Sequence, residues 1–533
     1  MKPTLIILSI LISVFFVNAQ SFDGFALYNS QGSNTTYLID ENQNIAHTWN
    51  MSTECNYTVD LKENGNLIRG TKGNTSVFST GNVAAGGGIV QEIAPNGTIV
   101  WEYIYADSDH LSHHDLTLVG DNVLLTAYEK KTSAELNAAG FNNASSEKWP
   151  THFIEIQGNA ITGTAEKVWE WHIWDHMCQD TDPNAPNYVS NISDNPGLID
   201  INIIQSSGGG PGGGDWFHVN GVDYNEDLDQ IVFSSRFASE IFIIDHSTTT
   251  AQAASHAGGN SGMGGDIMYR WGNPSNYGMG TTNSQIITSA VHDARWIKDD
   301  GRPNGGFLQI FNNCGAGCTG GGPSSVANST IDGIETPWDV ATNTYLRTSG
   351  QAFAPASYTT RYECEYSASG QSASDRMSNG NIFVNASSPT GLMYEVDAVT
   401  EQIIWGPYNA GSPKAFRYEC DYPGIIALET YMNTATTSCF IATDINDVDD
   451  DIISIFPNPT NGSINIMLNQ SVSKINEISI FNILGQPVYN KSINEGGEFV
   501  LKVDLSEYSE GIYILNLIHN SGKKDTRRIS YIK

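Results

Sequence analysis

An all-β fold is the class this chain predicts, and three observations carry the prediction. Charged residues make up only 16% of the 533 residues and there are 52 glycines, a composition that suits short strands joined by polar turns better than helices. A unit of apolar strand, polar turn and Trp-bearing strand recurs along the chain. Asn-Gly and Asp-Asn turns accompany it, and these residues accept the left-handed conformations that tight hairpins require. Imperfect repeats of several strands predict a six-bladed β-propeller, in which ring closure removes exposed sheet edges. A small C-terminal β-sandwich is expected to follow it.

The chain opens with Lys2, an apolar run from Leu5 to Val17, and Asn18-Ala19 before Gln20. This reads as a secretory signal over residues 1–19, its apolar run being short for a membrane span. No later segment is apolar enough to span a membrane, so the mature protein is expected to be exported and soluble. The propeller is assigned to residues 20–444. Its Trp-bearing units are Leu38 to Asn50, Glu92 to Tyr103, Ile161 to Trp171, Gly265 to Pro274 and Glu395 to Pro407. The second turn class lies at Lys62 to Ile68, Val119 to Leu125 and Met377 to Phe383. Their spacing predicts six blades, with a divergent section from Thr281 to Tyr358; two sandwiches in tandem are the alternative. The stretches Gly208 to Gly214 and Gly320 to Gly322 read as loops, and the first lacks the Lys-Ser or Lys-Thr of a phosphate-cradling loop. Residues 445–452 form an acidic linker without calcium-loop spacing. Residues 453–533 alternate strands and turns as a compact sandwich.

The formal charge of −32 lies upstream of this tail, because from Ile455 onward eight basic residues face seven acidic ones. Such a surface disfavours nucleic acid and anionic membranes as partners, and an anionic substrate would need a local positive pocket. Seven cysteines in an exported chain make disulfides plausible. Cys314 and Cys318 are close enough to bridge a loop, and Cys364, Cys420 and Cys439 could supply another pair.

Three histidine-bearing turns stand out. His113-His114-Asp115 precedes a strand pattern, His218 with Asn220 opens the hairpin stretch Asp215 to Asp245, and His292-Asp293-Ala294-Arg295 follows an apolar run. Imidazole can attack as a nucleophile or protonate a leaving oxygen, and the planar forks of Arg236 and Arg295 suit the oxygens of a sulfuryl or phosphoryl group. In a propeller such groups can converge on the central channel. The sets His110/His113/His114 and His172/Asp175/His176 could instead bind zinc or another transition metal, but neither has a characteristic context. No metal site and no cofactor are assigned.

Two resemblances sharpen this reading. The tail carries Phe456-Pro457-Asn458-Pro459, Asn461-Gly462, Asn482-Ile483-Leu484-Gly485, Asp504-Leu505-Ser506, Gly511-Ile512-Tyr513 and a closing basic run. It resembles the C-terminal sorting domain of the type IX secretion system, which implies export across the outer membrane and that machinery as partner. The hairpin stretch, Gly265 to Pro274, His292 to Trp296 and Phe311 to Asn313 resemble the arylsulfotransferase family. The resemblance implies a six-bladed propeller that moves a sulfuryl group from a phenolic sulfate ester to another phenol, without a nucleotide donor, through a histidine-bound intermediate. His218 and His292 match family histidines that contact the sulfuryl group. No histidine lies between His292 and His519, where the family's nucleophile is expected, so either His114 or His113 takes that role or His218 and His292 bind the ester and direct transfer with no covalent histidine. His113, Asn220, Arg236 and Arg295 are the expected substrate-binding residues, and His114, His218 and His292 the catalytic ones. The alternative function is a non-catalytic extracellular propeller that binds sulfated, glycan or phenolic ligands.

Overall fold

Each recurring Trp-bearing unit is the outer half of a four-stranded antiparallel sheet. Trp101, Trp171, Trp271, Trp405 and Trp49 lie on the fourth strands of five such sheets, and the Asn-Gly and Asp-Asn turns join first to second strands. The computed structural model describes residues 21–440 and 453–531, apart from 82, 204–213, 281–284, 286–289, 320–325, 435–436, 459, 469–474, 483–485, 493–498 and 520–523. The expected signal, the acidic linker, most of the Gly208 to Gly214 loop and the Gly320 to Gly322 loop lie outside those residues.

Two compact units are present, Met1–Phe440 and Ile441–Lys533. The first is all-β and propeller-like. Among the described residues it holds six four-stranded sheets whose innermost strands are β1 (Cys55–Leu61), β2 (His110–Val119), β3 (Val219–Asn225), β4 (Val291–Trp296), β5 (Ala373–Arg376) and β6 (Ala415–Glu419). Each inner strand neighbours the next, and β6 neighbours β1, so the cycle closes. The closing sheet is assembled from both ends of the unit: Gly24–Asn29 pairs antiparallel with β6, Phe25 opposite Tyr418 and Leu27 opposite Phe416. The sheet that lacks a Trp on its fourth strand, Thr360–Glu363, is the one drawn from the divergent stretch.

Indole nitrogens tie sheets to their surroundings. Trp171 Nε1 donates to the Gly265 carbonyl at 2.7 Å, and Trp405 Nε1 to the Glu41 carbonyl at 2.6 Å. Trp49, Trp171 and Trp271 are fully buried, so each contributes a large apolar area as well as a directional anchor.

Cys420 and Cys439 form a disulfide, Cys314 is also disulfide-bonded, and Cys55, Cys178 and Cys364 are free. Cys364 is therefore not the partner in the second pair.

The inner strands are joined by a buried ionic bridge. Lys414, just before β6, places Nζ 2.6 Å from Asp115 Oδ2 on β2 and 3.1 Å from Asp293 Oδ1 on β4. Asp115 also accepts from Thr58 Oγ1 on β1 at 2.5 Å and from the Val222 amide on β3 at 2.9 Å, and Asp293 from the Ser374 amide on β5 at 2.9 Å. Five inner strands and the residue just before β6 thus meet through four side chains, those of Lys414, Asp115, Asp293 and Thr58. Burial alone would lower the Lys414 pKa, but Asp115 and Asp293 outweigh it and hold the amine protonated. Gly221 on β3 permits the close approach: a Cβ there would lie 2.7 Å from the Asp293 amide nitrogen.

The second unit has a three-stranded sheet, Ile453–Phe456, Ser463–Leu468 and Phe499–Asp504, and a four-stranded one, Pro487–Ser492, Ile475–Asn482, Gly511–His519 and Lys524–Tyr531. Ile464, Ile466, Ile478, Ile480, Leu515 and Ile529 from both sheets share one core.

Replacing Lys414 by Met leaves two carboxylates buried without their cation. The variant is expected to lose about 3–5 kcal/mol of stability, read as a lowered urea midpoint of the first unit.

Candidate functional site

Three of the inner strands break their pairing register where the histidines sit. The shifts fall between Ser112 and Leu116, between Val219 and Gly221, and between His292 and Arg295. His114 (φ 52°), His218 (φ 51°) and Asp293 (φ 55°) hold the left-handed backbone conformation that non-glycine residues seldom adopt. Gln371, just before β5, does the same (φ 53°). A bulge re-aims side chains at the end of a strand, and here it turns imidazoles from separate sheets toward one another.

His114 Nε2 and His218 Nε2 lie 2.9 Å apart and share a proton, since only one can donate. His218 Nδ1 bonds to the Asp215 carboxylate. That carboxylate is held below its ordinary pKa: burial would raise it, and His218 and His113 outweigh the burial. Asp215 therefore stays anionic and fixes the Nδ1–H tautomer of His218. His114 is pushed well below the usual histidine range, by burial first and then by His218, His113, His292 and Lys414. A neutral His114 keeps a nucleophilic lone pair whenever the shared proton resides on His218. Its ring packs against Tyr57 at a centroid distance of 4.8 Å.

His292 lies close by, its ring centroid 6.5 Å from that of His114, with both nitrogens engaged. Nδ1 donates to Asn313 Oδ1 at 2.7 Å, and Nε2 accepts from the Gln371 amide at 3.0 Å. The Gln371 side chain donates to the Tyr57 hydroxyl at 3.0 Å and accepts from Ser387 Oγ at 2.7 Å. Arg236 follows the second strand of the His218 sheet, and its charge bears on His292 and Asp215. Its Nη1 would lie 2.7 Å from a Cβ on Gly370. Among the described residues its guanidinium has no hydrogen-bond or ion-pair partner, which leaves a donor fork free beside the histidines.

The other expected residues lie around this group in different settings. His113 stacks flat on Tyr128 at 3.6 Å, and among the described residues neither ring nitrogen has a hydrogen-bond partner. Asn220 is fully buried, donating to the Val291 carbonyl at 2.7 Å and accepting from Ser234 Oγ at 2.7 Å. Arg295 is paired with Asp293, lies 4.0 Å from Asp375 and covers the Phe416 ring, so the structure does not bring it to the histidines. Of the alternative metal sets, His110 faces Asp107, while His172 faces Glu129 and Glu170. Sequence reasoning did not find Asp215, Tyr57, Asn313, Gln371 or Lys414. Asp215, three residues before His218, and Asn313, in the Phe311 to Asn313 turn, carried a local signal without being assigned a role.

The profile of the arylsulfotransferase (ASST) family matches residues 13–313, more than half of the chain. The chain belongs to the arylsulfotransferase family. That family implies sulfuryl transfer with phenolic substrates. The match covers His113, His114, His218, Arg236, His292 and Asn313, and ends before Gln371 and Lys414. A second profile, the secretion system C-terminal sorting domain, matches residues 454–531. This arylsulfotransferase-family chain is therefore exported by the type IX route to the cell surface or beyond it. Among the described residues no helix is long and apolar enough to cross a membrane.

No curated protein matches the chain. Similar solved structures include apo AztD from Citrobacter koseri (8% identity, 91% of this chain and 98% of that one, TM-score 0.30). Others are a protein from Lactobacillus plantarum (8%, 90% and 100%, TM-score 0.36) and the Myceliophteria thermophila Cps50 (Swd1) β-propeller domain (9%, 72% and 85%, TM-score 0.32). Likenesses this slight carry no argument about function.

His113 has its pKa pushed down to about 3, chiefly by burial, whereas an unfolded histidine titrates near 6.5. The unfolded chain therefore binds a proton that the folded one refuses, and the associated stability, present above pH 6.5, is lost as the pH falls below it. Between pH 7.5 and pH 5, His113→Phe is expected to lose about 2 kcal/mol less than the parent, measured by urea unfolding at both pH values.

Proposed function

We propose that this protein is an exported arylsulfotransferase with a six-bladed propeller as its catalytic domain, working without a nucleotide donor. Its organisation follows: a signal over residues 1–19, the propeller over 20–444, a linker over 445–452 and a sorting β-sandwich over 453–533. The observation that carries the activity is the His114–His218–Asp215 relay, in which a neutral imidazole meets one braced by a carboxylate.

In the proposed reaction His114 Nε2 attacks the sulfur of a phenolic sulfate ester. The bond from sulfur to the phenolic oxygen breaks, and the departing oxygen takes the proton held on His218 Nε2. The sulfuryl group is then bound to His114. The acceptor phenol gives its proton to His218 and attacks the same sulfur, which releases His114 and restores the starting state. The free Arg236 fork offsets charge on the non-bridging oxygens throughout. His292 contributes by holding the Gln371 turn, and it becomes a sulfuryl contact if that amide moves aside. His113 and Asn220 shape the wall of the site. Tyr57, an aromatic ring against His114, suits a stacked phenol.

The engagement of both His292 nitrogens favours one competing reading, an extracellular propeller that binds sulfated, glycan or phenolic ligands without turnover.

The decisive assay mixes the purified mature protein with 4-nitrophenyl sulfate and phenol. Wild type is expected to release nitrophenol in proportion to phenyl sulfate formed, and His114→Ala and His218→Ala to fall by about a thousandfold. Arg236→Lys is expected to lose about ten- to a hundredfold, because one ammonium replaces a fork. Acid-labile sulfation of a peptide that contains His114, trapped without acceptor, identifies the nucleophile. Ligand binding without turnover by wild type over a range of donors and pH would establish the binding reading instead.

A further inference from the structure

A second histidine cluster lies at the outer edge of the ring, on elements distinct from those of the relay. His176 follows Thr164–His172, the outermost strand of the second sheet, and Asp266 precedes Tyr269–Trp271, the outermost strand of the third. His256 comes from the glycine-rich loop between them. His176 Nδ1 lies 2.8 Å and His256 Nδ1 2.7 Å from the same oxygen, Asp266 Oδ1. One ligand atom from each residue falls within 4.8 Å of the other two.

The hydrogen bonding of His176 is what calls for a cation. Its Nε2 lies 2.8 Å from the Ala253 carbonyl, which can only accept, so Nε2 carries the hydrogen. A neutral imidazole then presents the Nδ1 lone pair to a carboxylate oxygen, acceptor against acceptor. A cation bound by both atoms from one side removes that conflict. The ring is held in that orientation on both sides. Trp171 stacks on it, with planes 5° apart and centroids 5.4 Å apart, and a Cβ on Gly265 would lie 2.6 Å from its Nε2. A carbonyl that fixes the far nitrogen of an imidazole is the usual outer-shell partner of a metal-bound histidine.

We propose that His176, His256 and Asp266 bind a divalent transition metal of the zinc class. Two imidazole nitrogens and one carboxylate oxygen suit that class, and the edges of a tetrahedral site with arms of about 2.0–2.1 Å are within reach of small side-chain adjustments. The His256 side chain, 61% exposed, provides the entry path and leaves the remaining position to water. The metal clips the outer edge of the second sheet to that of the third.

Mature full-length protein, stripped with a chelator, would be titrated with Co²⁺ followed by visible absorption, and with Zn²⁺ by calorimetry. One equivalent is expected to bind, with a Kd of about micromolar or tighter. His256→Ala, at an exposed side chain, is expected to weaken binding at least about tenfold and to abolish the rise in thermal midpoint that Zn²⁺ gives the parent. Asp266→Asn should do the same. Absence of binding by the parent, or affinity unchanged in both variants, overturns the site.

Discussion

The contact on which the rest of the first unit depends is the ammonium of Lys414 between Asp115 and Asp293. A closed cycle of inner strands brings polar backbone ends together at its centre, where a purely apolar plug would leave amides unsatisfied. Two carboxylates solve the problem by accepting amides and a hydroxyl from neighbouring strands, and the lysine makes two buried anions tolerable. The bulges that free Asp115 and Asp293 to point inward also carry His114 and His292. In each pair one residue faces the bridge and its neighbour faces the histidine cluster.

That arrangement also separates charge by function. The acidic surface offers nothing to an anionic ester, and inside the ring most cations are already committed, Lys414 to its bridge and Arg295 to Asp293. Arg236 is the exception beside the histidines. An anion reaching this point meets one uncommitted guanidinium and the His218 imidazole backed by Asp215.

The repeats were readable because each imposes a local demand. Trp marks the outer strand and Asn-Gly or Asp-Asn the inner turn, and both demands are met within a dozen residues. The sheet whose fourth strand lacks a Trp, built from Val291–Trp296 to Thr360–Glu363, left the count of sheets to be inferred from spacing. The closing pair of Gly24–Asn29 with Ala415–Glu419 was not legible, because nothing local to either strand names a partner nearly four hundred residues away. The site shows the same division. His114, His218 and His292 announced themselves by residue type, and Arg236 by its place after a strand. Asn220 and Arg295 looked equally suitable, yet their roles depend on contacts with Val291, Ser234, Asp293 and Asp375 that no spacing reveals. Lys414 gave no signal, its meaning being wholly a matter of burial between two distant carboxylates.

The sheet made from both ends of the unit bears on how this secreted chain reaches its final state. Its first strand leaves the ribosome and enters the translocation channel long before the strand it must join has been synthesised. Until then it presents an unpaired edge, and the ring remains an open arc that lacks the Lys414 bridge. Completion of the circle is thus a late event that depends on a strand near the end of the first unit, so a part made late is also the part that locks it.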